Sequence, residues 1–255
     1  MPPLHLRPAL AWLLLLLGLA SPARAHDADE VLVADLSEHL IAITTAFVGT
    51  TVVLFGATNG TSEIVVTVVG PREDVVVRRK ERVAGIWINA EEMTFAAVPT
   101  YYFVAGSKPL DAIAHPDMRS RLELGLNYLI LEPVDAAGHD ISEIKAFEDA
   151  LIRNKQDQAL YSRQPSVVRF VGERLFRTSI DFPANVPPGI YQVQVFELRD
   201  GQVTDAQRST LVISKIGLEA DLFDFAHNRA SLYGIAAIVV SITAGWLAGV
   251  IFRRD

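Results

Sequence analysis

Leu232 to Phe252 read LYGIAAIVVSITAGWLAGVIF, 21 residues without a formal charge, followed at once by Arg253, Arg254 and Asp255. As a helix rising about 1.5 Å per residue, the run spans roughly 31 Å, the thickness of a hydrocarbon core. A core helix of a soluble domain keeps a polar edge, and this run has none. It predicts a transmembrane helix over 232–252, embedded in the lipid bilayer. The side of the membrane on which that helix leaves the preceding residues then organises the rest of the reading.

The N-terminus carries a different apolar run. Arg7 gives a positive start, Ala9 to Ala20 (ALAWLLLLLGLA) an apolar stretch of 12 residues, and Ala23-Arg24-Ala25 a small-residue cleavage site. That pattern predicts a secretory signal peptide over 1–25, leaving His26 as the mature N-terminus. A cleaved leader and a late stop-transfer helix place 26–231 outside the cytoplasm and leave 253–255 as a cytoplasmic tail. Arg253-Arg254 on the inner flank, against a lone Arg229 on the outer one, agrees with the positive-inside rule.

The chain has no cysteine, which excludes disulfide and thiolate chemistry and tilts the compartment toward a bacterial periplasm. Residues 26–231 hold 19 Lys+Arg against 29 Asp+Glu, a formal charge of −10. That balance argues against nucleic acid, or an anionic lipid surface, as the partner of the whole domain.

Residues 26–106 read as antiparallel β, in short runs such as Val52–Leu54 and the β-branched Ile64–Val69. Asn59-Gly60 between two such runs predicts a hairpin turn, and the turn accounts for the Asn59-Gly60-Thr61 sequon without a glycan. Residues 107–164 change character. Ser107-Lys108-Pro109 marks a helix start, and Asp140 with Glu143 has capping-box spacing ahead of Ile144, Phe147 and Leu151, predicting a helix from about 141 to 161. Residues 165–216 return to β, with Pro187-Pro188-Gly189 forcing a turn and Arg199-Asp200-Gly201-Gln202 closing a hairpin. The expectation is a mainly β protein: immunoglobulin-like β-sandwich units, two β blocks bridged by the helical segment, a juxtamembrane stretch over 217–231 and the membrane helix.

Candidate chemistry is sparse. Asp35, Ser37 and His39 hold the residue types of a triad, but on one continuous strand same-face neighbours lie nearly 7 Å apart. No nucleophile elbow, P-loop or zinc-protease motif occurs. Glu91-Glu92 and the acidic group Asp27, Asp29, Glu30 read as solvated surface. The basic run Arg78-Arg79-Lys80-Glu81-Arg82 reads as a charged hairpin tip or protected edge strand, with a docking patch for an acidic partner as the alternative. His26 is the one metal candidate: its α-amine and imidazole would offer Cu(II) two nitrogens, with a second histidine needed from His39, His115, His139 or His227. In the membrane helix Ala237, Ser241, Gly245 and Gly249 recur every four residues, a helix-packing face of small side chains.

Several stretches together carry a resemblance. They are Asp35-Leu-Ser-Glu-His-Leu-Ile-Ala-Ile43, Phe47-Val-Gly49, Leu54-Phe-Gly56, Gly85-Ile-Trp-Ile-Asn89, Ala150-Leu-Ile-Arg153, Leu175-Phe-Arg177, Pro183-Ala-Asn-Val-Pro187, Asp224-Phe-Ala-His227 and Gly245-Trp-Leu-Ala-Gly249. The chain resembles an alphaproteobacterial family of transmembrane proteins of unknown function. The resemblance implies a Gram-negative inner-membrane protein with a periplasmic domain, encoded beside a sulfite-exporter-type permease. It carries over no catalytic residue. The expected function is therefore a non-enzymatic accessory or interaction subunit of a membrane transporter or envelope complex. Its expected partners are the bilayer and either a multi-span permease or a second copy packed along the membrane helix; no cofactor and no nucleic acid are called for. The alternative is a periplasmic copper or small-ligand binding protein using His26.

Overall fold

Along Leu175–Pro183 the side chains alternate: Phe176, Thr178, Ile180 and Phe182 are buried, while Leu175, Arg177, Ser179 and Asp181 face outward. A period of two is what a strand covering one side of a core requires. The architecture is that of a computed structural model, which describes residues 32–58, 60, 62–83, 85–134, 136, 138–216 and 230–251. The predicted leader, His26, most of the juxtamembrane stretch and the C-terminal tail lie outside the described residues.

Among the described residues thirteen strands make three sheets. The first contains β1 (Val33–Leu36), β3 (Gly49–Ala57), β10 (Arg169–Val171) and β11 (Leu175–Pro183), in the order β1–β3–β11–β10. The second contains β2 (Leu40–Ile43), β4 (Glu63–Val69), β7 (Tyr102–Gly106), β9 (Ser166–Val167), β12 (Gly189–Arg199) and β13 (Gln202–Lys215), in the order β2–β13–β12–β4–β7–β9. Neighbours are antiparallel except β2 with β13 and β7 with β9. One hydrophobic cluster joins Val52, Leu54, Phe176 and Ile180 of the first sheet to Val66, Val193, Val195 and Leu211 of the second. The two sheets thus share one core, as the layers of a β-sandwich do. Tyr191, buried near the start of β12, donates its hydroxyl to the Pro187 carbonyl at 2.6 Å. Immunoglobulin-like sandwiches place a tyrosine-to-backbone bond at that corner.

This pairing corrects two expectations. Strands from 165–216 pair with strands from 26–106 in both sheets, β11 with β3 and β12 with β4, so the two blocks complete one sandwich rather than two. Asn59-Gly60 does not close a hairpin either, because β3 and β4 belong to different sheets. Turn chemistry reports that a chain reverses, and says nothing about which sheet it rejoins. The turn at Asp200-Gly201 does close a hairpin, with φ of 51° and 74° and Arg199 registered against Gln202. Positive φ at both central positions is what a two-residue hairpin loop requires.

The third sheet is a hairpin inserted between β4 and β7, to which a short strand from the helical segment adds an edge. It holds β5 (Arg72–Val83), β6 (Ile86–Pro99) and the short β8 (Glu132–Pro133). Its base is fastened to the sandwich by Gly70 N to Tyr101 O (2.9 Å) and Thr100 N to Pro71 O (2.8 Å). The helical segment supplies α1 (Leu110–Ile113), α2 (Pro116–Arg121), a 3-10 turn (Leu126–Tyr128) and α3 (Ile141–Asp157). The capping box forms, the Asp140 N–H donating to the Glu143 carboxylate at 3.2 Å. Phe147 and Leu151 of α3 pack with Met93, Phe95 and Val98 of β6 in a second small core. The helix stops at Asp157, short of the expected 161, because Ala159 turns to φ 58°.

The last element, α4 (Ala230–Ile251), contains the expected membrane span, with mean hydropathy 1.8 over Ala230–Gly249 and none of it buried within the protein. Its polar side chains satisfy themselves: Ser241 donates to the Ala237 carbonyl and Thr243 to that of Val239, both at 2.8 Å. A hydroxyl bonded back one turn needs no water, which suits hydrocarbon.

Candidate functional site

A groove of about 720 Å³ lies where the helical segment meets the open edge of the second sheet. Its floor is the end of β7 and the short β9, held together by Val168 N to Gly106 O at 2.9 Å. One wall is α1 with the turn Gly125–Asn127, and the other is α3 with the segment Ser162–Pro165. The turn is shaped by Tyr102, whose buried hydroxyl donates to the Glu123 carbonyl (2.6 Å) and accepts from Gly125 N (2.7 Å). Burial pushes the Tyr102 hydroxyl well above the usual phenol range, so it stays a proton donor at any ordinary pH.

Three cations line the groove, in different states. Lys108 pairs with Glu63 at 2.5 Å, and the Ser107 hydroxyl also donates to Glu63. Partial burial of Glu63 pushes its carboxyl upward, but the Lys108 and Ser107 hydrogen bonds outweigh that and hold it below its ordinary value. Arg163 pairs with Asp157 at 2.8 Å. Arg119, in the last turn of α2, has no carboxylate partner among the described residues. Its guanidinium lies 4.4 Å above the Tyr128 ring, and its buried Nε finds no acceptor. Nothing in the linear sequence singles Arg119 out, since its isolation appears only once Lys108 and Arg163 are seen to be paired.

The residues flagged by sequence fall elsewhere. Asp35 and His39 meet at 3.0 Å, a correction to the expected separation. The chain leaves the first sheet at Leu36, bends at Ser37 and joins the second at Leu40, so 35–39 is a corner and not one strand. The Ser37 Oγ accepts from Val53 N at 3.0 Å, and no hydrogen bond joins it to His39 among the described residues. Glu91 and Glu92 face Arg79 and Arg78 across β5–β6 at 2.8 and 3.0 Å, so the acidic pair and half of the basic run neutralise each other. Beyond them the hairpin projects as an arm on which Lys80 and Arg82 form no ion pair with any described residue. At its tip Ile86, Trp87 and Ile88 are 68%, 65% and 44% exposed. Strand geometry gives that arm a length of roughly 15 Å past its last ion pair. His115 and His139 each lie beside a carboxylate of their own segment, Asp117 and Glu143. Among the described residues no group of three or more His, Asp or Glu could hold a metal ion, and His26 and His227 lie outside them. Ala237 and Ser241 are exposed on α4, and a Cβ added at Gly245 or Gly249 would meet nothing within 4 Å.

These features define a single-pass membrane protein: a mainly β domain followed by one C-terminal apolar helix. The chain belongs to the family described as "Putative transmembrane protein (Alph_Pro_TM)", which matches residues 31–254. No curated protein and no solved structure matches it.

Proposed function

We propose that the protein is a non-enzymatic accessory subunit, tethered in the bacterial inner membrane, whose periplasmic β domain docks onto a membrane partner. The observation that carries this reading is the β5–β6 arm. It holds Ile86, Trp87 and Ile88 away from both hydrophobic cores, at a place where exposed apolar side chains contribute nothing to folding. A tryptophan flanked by aliphatic residues on a rigid hairpin is the kind of anchor that interface cores use. The fully exposed α4, with its small-residue face, offers a second contact inside the bilayer to a multi-span permease or to another copy. A non-enzymatic role is favoured by the state of the triad-like corner, whose serine is engaged by backbone and whose histidine is open to solvent. The leader-like N-terminus and the Arg253-Arg254 pair support a periplasmic domain and a cytoplasmic C-terminus.

Affinity purification from solubilised membranes tests the reading, using the parent, Trp87→Ser, and Gly245→Leu with Gly249→Leu. A membrane protein that co-purifies with the parent and is lost from both variants supports it. A catch unaltered by either variant, or no catch at all, overturns it.

A further inference from the structure

We infer that the groove over β7 and β9 is a binding site for a small organic carboxylate with an apolar stem, and that Arg119 receives the carboxylate. This goes beyond the accessory role and does not depend on it. A guanidinium carries five N–H donors, and proteins rarely leave such donors idle beneath the surface. Arg119 makes no hydrogen bond or ion pair with any described residue, its Nε is sealed from solvent, and the Tyr128 ring fixes the plane of the group from one side. A guanidinium stacked in this way is preorganised, so little freedom is lost when a planar carboxylate meets its edge through two parallel N–H···O bonds.

The class of ligand follows from the rest of the lining. Lys108 and Arg163 are already paired with Glu63 and Asp157, so Arg119 is the cation of the lining left without a carboxylate among the described residues, and one such group suits a monoanion over a phosphate-like dianion. Asp111, the acid in the lining, turns its Oδ1 to the N–H of Ala112 at 3.1 Å. Val104, Leu110, Leu126 and Ile152 supply apolar wall, and the volume falls within the usual range for small-molecule sites. The domain is acidic overall, so a cation without a carboxylate partner in this groove is not explained by general surface charge.

Ligand-observed NMR on the full chain in detergent micelles, with hexanoate and benzoate as probes, tests this. Hexanol and hexylamine control for partition into the micelle, and inorganic phosphate controls for charge. Saturable binding of both carboxylates but of none of the three controls is expected. Arg119→Gln should weaken it about tenfold or more, Arg119→Lys should fall between, and Arg121→Gln, an exposed neighbour on the same helix, should leave it unchanged. No saturable binding, equal binding to Arg119→Gln, or displacement by phosphate at equal concentration would overturn the assignment. Should Arg119→Gln fail to fold, the parent protein decides: hexanoate must shift the Arg119 Nε–H resonance, and an unmoved resonance refutes the site.

Discussion

The Thr58 hydroxyl donates to the Glu197 carboxylate at 2.7 Å, joining residues 139 apart in the chain. The Ser62 hydroxyl donates to the same oxygen, so one side chain on β12 holds both ends of the crossover from β3 to β4. Glu197 is 1% exposed, and its acceptor replaces the water those hydroxyls would otherwise need. Hydrogen bonds to a charged group contribute about 1.5–3 kcal/mol each before desolvation is subtracted. Glu197→Ala should therefore lower stability by about 2–3 kcal/mol in urea unfolding, with Glu197→Gln less damaging. A change below about 0.5 kcal/mol would mean that desolvating the carboxylate cancels what it holds.

Gly56 lies where the first sheet presses on its own core. An added Cβ there would sit 2.4 Å from both Phe176 Cζ and the Val33 carbonyl oxygen. Backbone on one side cannot yield, and the ring on the other is fully buried. Gly56→Ala should cost about 1–3 kcal/mol or more through overpacking. Gly56→Ala in a Phe176→Leu background should recover part of the loss, and thermal unfolding of the two variants checks that coupling.

The aromatic cluster Tyr101, Phe182 and Tyr191 sets a limit at alkaline pH. Burial pushes the Tyr191 hydroxyl up to about 12, and Tyr101, Tyr102 and Tyr161 are raised further for the same reason. The folded chain then holds protons that the unfolded chain releases near pH 10. The stabilisation is fully present below pH 10 and is lost as pH rises through 12. Denaturation midpoints measured between pH 9 and about pH 12 should fall steeply above 10, together with tyrosinate absorbance at the unfolding transition. Reversible ionisation of any of these four tyrosines below pH 11 without unfolding would contradict this.

Trp87 should separate function from stability. Because it is mostly exposed on the arm, Trp87→Ser should change unfolding free energy by less than about 0.5 kcal/mol while removing partner capture. A large loss of stability would show that the tip packs against the rest of the chain.

Local chemistry in the sequence located most elements correctly. The Asp140–Glu143 box, the Asp200-Gly201 turn and the apolar run after Leu232 each depend on neighbours a few residues away. What local chemistry could not convey was pairing at distance. Asn59-Gly60 looks like a hairpin because its flanks are apolar, and only the long-range partners β11 and β12 draw those flanks into different sheets. Asp35 and His39 meet because the chain changes sheets between them. Arg119 stands out only by elimination, after Glu63 and Asp157 have claimed the other cations.

The parallel pairing of β2 with the end of β13 has a mechanical meaning. Any load carried from the anchor along the chain reaches the sandwich at Lys215, the final residue of β13. There the strand is gripped by β2 from Leu40 to Ile43, and further along by β12 from Gly189 to Arg199. A lengthwise pull must slide β13 past both neighbours and strain many hydrogen bonds together, whereas unzipping would break them singly. The domain is thus attached to its tether by the strand best placed to resist being drawn out.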